Sequence, residues 1–121
     1  MDQKWIEFAE TRTGIPLPNC YTYARARISE IQGKETTISD ASIGGAGNLW
    51  EIHNNNFTQS DKPNPGSLMI WQSTNGGYVA VCEKVNSDGT IEWSQSNYGG
   101  PKFEYISGVP TEIYIYIYII I

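Results

Sequence analysis

Two hydrophobic periods divide the chain. Up to Gly33 the apolar residues recur at three- and four-residue intervals, and from Ser67 they alternate. In the first stretch, Trp5, Ile6, Phe8 and Ala9 predict a helix within residues 1–13, closed by Gly14. Ile15-Pro16-Leu17-Pro18 then reads as an extended connector, because proline disfavours helical geometry in the residue before it. Asn19 is a good N-cap for a second helix over 21–32. There Tyr21, Ala24, Ile28 and Ile31 form an apolar stripe, while Arg25, Arg27 and Glu30 can face water. Gly33 stops it. Residues 36–47 are rich in Ser, Thr and Gly and read as a loop. A short helix is expected over 46–53, with Leu49, Trp50 and Ile52 as its apolar content. Asn54-Asn55-Asn56 ends it, and 60–66, with Pro63 and Pro65, reads as a turn.

The second stretch predicts strands over 67–71, 78–85 and 90–94, with a fourth over 103–106. Asn75-Gly76-Gly77 and Asn86-Ser87-Asp88-Gly89 separate the first three as turns. Residues 113–121 read Ile-Tyr-Ile-Tyr-Ile-Tyr-Ile-Ile-Ile, a strand with Ile on one face and Tyr on the other. Its regularity exceeds that of most natural strands and is compatible with a designed origin. Two roles are open to it: a core strand with a Tyr-rich outer face, or an uncharged edge through which copies of the chain self-associate. Helices first and an antiparallel meander afterwards predict an α+β fold in a single domain, 1–121.

Composition narrows the function classes. The 121 residues suit one core, and the 40% hydrophobic content can fill it. No apolar run is long enough to cross a bilayer, and no cationic leader precedes an apolar segment, so no export signal is expected. A net charge of −5 without a basic stripe argues against a nucleic-acid partner. A lone histidine, His53, excludes a multi-histidine metal site, and no metal or other cofactor is expected. Of two cysteines, Cys82 lies in an alternating apolar run and reads as a small buried hydrophobe.

Cys20 is different. It follows the N-cap, where unpaired backbone N–H groups and the positive end of the helix dipole favour a thiolate. Nucleophilic use of such a thiol needs a base, and none stands beside it in sequence.

An ordered set of segments resembles the CHAP domain, the cysteine- and histidine-dependent amidohydrolase/peptidase family of phage endolysins and bacterial cell-wall hydrolases. The pieces are Asn19-Cys20-Tyr21-Thr22-Tyr23-Ala24, residues 44–50, Pro65-Gly66-Ser67-Leu68-Met69-Ile70-Trp71 and Gly77-Tyr78-Val79-Ala80-Val81. The turn and strand from Asn86 to Glu92 follow, and Ser96-Asn97-Tyr98-Gly99-Gly100 closes the set. The resemblance runs from about residue 3 to 118. It implies a papain-like (NlpC/P60-like) fold, with a cysteine-bearing helix packed on an antiparallel sheet that carries the histidine. It also implies attack of a thiolate on a peptidoglycan amide, either between muramic acid and L-alanine or within the stem or cross-bridge peptide. The histidine takes the thiol proton and returns it to the leaving amine, and an acidic residue orients the imidazole.

Carried over by position, Cys20 matches the nucleophile. Tyr78 stands at the histidine position and Gln95 at the acidic one. Asn97 matches the polar residue that follows, and Asn19 holds the place of an oxyanion-binding amide. Tyr21 and Tyr98 are candidates for the substrate groove. Some members bind calcium through an acidic N-terminal loop, which Asp2 and Glu7 do not make. A tyrosine, with its pKa near 10, cannot act as base at neutral pH. The resemblance therefore implies a peptidoglycan hydrolase scaffold that is inactive or strongly impaired, monomeric, and reaching the cell wall by release from the cell. Tyr78→His with Gln95→Glu is then expected to restore cleavage. The alternatives are a non-catalytic module that binds cell wall or protein, and an active variant using His53 as base.

Overall fold

The structure is a computed structural model and describes residues 1–36, 57–60, 62–71, 78–109 and 115–119. Two helices, α1 (Gln3–Thr13) and α2 (Cys20–Gln32), precede six strands. These are β1 (Phe57–Ser60), β2 (Leu68–Trp71), β3 (Tyr78–Val85), β4 (Ile91–Gln95), β5 (Glu104–Gly108) and β6 (Ile115–Ile119). They form one six-stranded sheet in the order β1-β6-β2-β3-β4-β5. Every pair is antiparallel. The α+β architecture expected from the two periods is the one observed, with the helices packed on an antiparallel sheet as the family resemblance implied.

Both helices begin and end as their capping residues dictate. The Asp2 side chain accepts from the Lys4 N–H and the Asn19 side chain from the Thr22 N–H. Gly14 and Gly33 close the helices at φ 71° and 72°, a left-handed geometry that costs glycine little. Alternation along β2 and β3 then divides the core. Leu68, Ile70, Val79 and Val81 meet Ile6, Tyr21, Ala24 and Ile28 from the helices and Leu17 from the connector between them. Met69, Ala80, Cys82, Ile91 and Trp93 form a second cluster. Cys82 is wholly buried there, as its alternating surroundings predict.

Two features of the sheet go beyond the sequence reading. β1 was not expected, because Phe57-Thr58-Gln59-Ser60 has a single apolar residue; its partner β6 supplies the pairing. β6 is described over Ile115–Ile119, within the strand expected at 113–121. It also lies inside the sheet, with ladders to β1 on one side and β2 on the other. With ladders on both sides, residues 115–119 take the core-strand role of the two open to them. The helix predicted over 46–53, with Trp50 and His53, lies outside the described residues. Among the described residues, no helix is long and apolar enough to cross a membrane.

Candidate active site

The start of α2 is fastened from two directions. Within the helical layer, the Thr22 hydroxyl donates to the Ile15 carbonyl (2.9 Å) and lies 3.0 Å from the Thr13 hydroxyl. The Leu17 N–H donates to Glu10 (2.8 Å). These bonds fix the connector that delivers Asn19 and Cys20. From the sheet, the Ser96 hydroxyl accepts from the Asn19 N–H (3.1 Å), tying the helix N-terminus to the end of β4. The cap engages the Asn19 side-chain oxygen (2.9 Å from the Thr22 N), so its NH2 group is left for another acceptor.

Cys20 is the first residue of α2, half-buried against the helix-facing core. Burial pushes its thiol pKa up. Hydrogen bonds from the backbone at Val79, Tyr21 and Cys20 itself pull the other way and do not prevail. The sequence reading expected the helix terminus to favour thiolate; in the folded chain desolvation outweighs that advantage. The Val79 contact sets the sulfur against the start of β3, beside Tyr78.

Tyr78 opens β3, and its hydroxyl is fully engaged. It donates to the Asn97 side-chain oxygen and approaches the Ser96 carbonyl (3.2 Å). Burial, then the charges of Cys20 and Glu104, push the phenol pKa well above its ordinary value. Behind Asn97 the network continues. The Asn97 NH2 donates to Glu104 Oε1 (2.8 Å), which also accepts from the Gln95 NH2 (2.6 Å). The Gln95 oxygen accepts from the Trp93 indole N–H (3.0 Å).

The structure thus brings together Asn19, Cys20, Tyr78, Gln95 and Asn97, and adds two residues that sequence reasoning missed. Ser96 is wholly buried and contacts both sides of the site: its hydroxyl holds Asn19 and its carbonyl faces Tyr78. Glu104 enters from β5 because the β4–β5 register places it opposite Gln95. A carboxylate one strand away from a lost acidic position was the available signal.

Other candidates separate. Tyr21 is 4% exposed and packs in the core, so it does not line a groove; its hydroxyl accepts from Arg25 (3.3 Å). Tyr98 is 90% exposed on the turn after β4. His53 lies outside the described residues. Among the described residues no cluster of three or more His, Cys, Asp or Glu could hold a metal. A cavity of about 460 Å³ lies off the cysteine, between α2 and the β4–β5 strands. Tyr23, Arg27, Glu83, Ser94 and Tyr105 line it, and Glu104 borders it as well as the network.

Comparison with known proteins decides the family. The family model "CHAP domain" matches residues 10–97, well over half of the chain. The chain belongs to the CHAP-domain family. No curated protein matches it in sequence. In structure this CHAP domain is similar to an N-acetylmuramoyl-L-alanine amidase from Staphylococcus aureus, with a TM-score of 0.65 and 23% identity. The match covers 86% of this chain and 31% of that one, so the chain spans about a third of the amidase's length. At that identity the likeness speaks for the fold. The CHAP match spans Cys20, Tyr78, Gln95 and Asn97 but ends before Glu104.

Proposed function

We propose that this CHAP domain is the scaffold of a cysteine-type peptidoglycan amidase or endopeptidase in which cleavage is absent or strongly impaired. The family and the amidase-like fold support the substrate class. The state of Tyr78 carries the impairment. A thiol amidase needs a group that accepts the Cys20 proton and then protonates the departing amine. The Tyr78 hydroxyl does neither: its hydrogen is spent on Asn97, and its raised pKa keeps it there. General acid–base catalysis contributes about 10²–10⁴-fold, and catalytic groups acting as a unit about 10⁶-fold. In this reading Cys20 keeps the nucleophile's place and the Asn19 NH2 is the donor for a developing oxyanion. Tyr98 is the exposed aromatic that meets the substrate, and the domain works as a monomer on the cell wall after release.

Turbidity of susceptible Gram-positive cells tests this. The native chain should leave them turbid, and clear lysis that disappears in Cys20→Ser would overturn the reading. Tyr78→His should gain at least about 100-fold over the native chain on purified peptidoglycan.

A further inference from the structure

Glu104 has a property its neighbours lack. A carboxylate can only accept hydrogen bonds, whereas a side-chain amide has a donating and an accepting end that can exchange places. Two amides meet the same oxygen, Glu104 Oε1, through their NH2 groups. Each must then turn its carbonyl oxygen away. For Gln95 that oxygen meets the Trp93 indole, a donor only. For Asn97 it meets the hydroxyl at position 78. Every polar end is matched, and the carboxylate sets the direction of the whole chain.

We infer that Glu104 is the positioning residue of this site: by accepting from the Asn97 NH2 it holds the Asn97 oxygen toward position 78, the role left vacant at Gln95. The inference rests on the CHAP reading above. It relocates the acidic function to the strand partner of Gln95 and routes it through an amide. Facing Tyr78, that oxygen takes up the phenol hydrogen. Facing an imidazole, it would accept a ring N–H and hold the other ring nitrogen as a base. The same geometry changes the expectation for Gln95→Glu. That substitution places a second carboxylate within hydrogen-bond distance of Glu104, where the two share a proton or repel.

The test compares Tyr78→His, Y78H/E104Q and Y78H/E104D, each checked for native circular dichroism. Among the described residues, Cys20 from α2 and Glu104 from β5 act electrostatically on position 78; Cys20→Ser in every variant removes the first. The imidazole pKa, followed by NMR, should be higher with Glu104 or E104D than with E104Q, by about 0.5–1 unit. Equal values overturn the assignment. In the native chain the Asn97 side-chain amide protons should be protected from solvent exchange and lose protection about tenfold in Glu104→Gln; unprotected native protons also overturn it. Cleavage is scored separately, with Cys20 in place. A Glu104-dependent pKa without cleavage sinks the hydrolase reading and leaves the role of Glu104 standing. Cleavage by Y78H with equal pKa values does the reverse.

Discussion

At the residue scale, Cys20 and Tyr78 are each held in the neutral form. Each is half-buried and partly desolvated, and a negative charge on Cys20 raises the cost of one on Tyr78. The raised thiol pKa has a direct readout. Alkylation of Cys20 by iodoacetamide should be slow at pH 7 and climb only above about pH 8.5, the ordinary cysteine value. A rate already at its plateau at pH 7 would contradict the burial argument. Cys82, wholly buried on the other core cluster, should react only when the chain is unfolded. The meeting of Cys20, Tyr78 and Asn97 was legible in the order of short family segments. Ser96 and Glu104 were not. Their parts depend on which atoms face each other across strands, and that is set by register rather than by local sequence.

At the scale of elements, the N-terminus of α2 and the bond between α2 and β3 carry the most weight. Asn19→Ala removes the Thr22 cap, which should cost about 1 kcal/mol in chemical denaturation and loosen the turn that presents Cys20. Farther along α2, Arg27 grips Glu83 of β3 through two bonds of 2.8 and 2.7 Å. Ser94 of β4 adds a third to the same carboxylate (2.6 Å). Burial pushes the Glu83 pKa up, but Arg27 and Ser94 together outweigh it, and the net shift is down. The folded chain therefore binds this proton less readily than the unfolded one. Its stabilisation is present above the unfolded value, near pH 4.3, and is lost as pH falls through the lower folded value. Glu83→Gln should lower stability by about 2 kcal/mol at pH 7. The gap between variant and native chain should narrow below about pH 4; a gap that stays constant with pH would remove the ion pair from the account. Both described helices, the caps Gly14, Asn19 and Gly33, and five of the six described strands were readable from period and punctuation. β1 was not, because a strand with one apolar residue has no periodic signature and exists through its partner.

At the scale of the whole molecule, the sheet depends on a strand that arrives late. β6 lies between β1 and β2, so removing residues 113–121 takes away the partner of β1 and opens one side of β2. The shortened chain should lose cooperative thermal unfolding and elute as aggregate in size-exclusion chromatography, whereas the full chain should elute as a monomer. A truncated chain that stays monomeric and cooperative would show that β6 is dispensable. The expected fold class holds at this scale, and of the two roles open to the Ile/Tyr strand the sheet gives it the interior one. Alternation reveals a strand and its faces, but a strand's neighbours belong to the topology.

That strand order has a consequence for biosynthesis. Translation delivers β1 to β5 before β6, yet β1 pairs with β6. On the ribosome, the helices and the β2–β5 meander can assemble from neighbours in sequence, while the Phe57–Ser60 segment waits with its backbone groups unpaired. A nascent chain stalled before Ile115 leaves the exit tunnel should therefore be a better substrate for proteases and holdase chaperones than the finished one. The cell's quality control would then read the arrival of a single strand as completion.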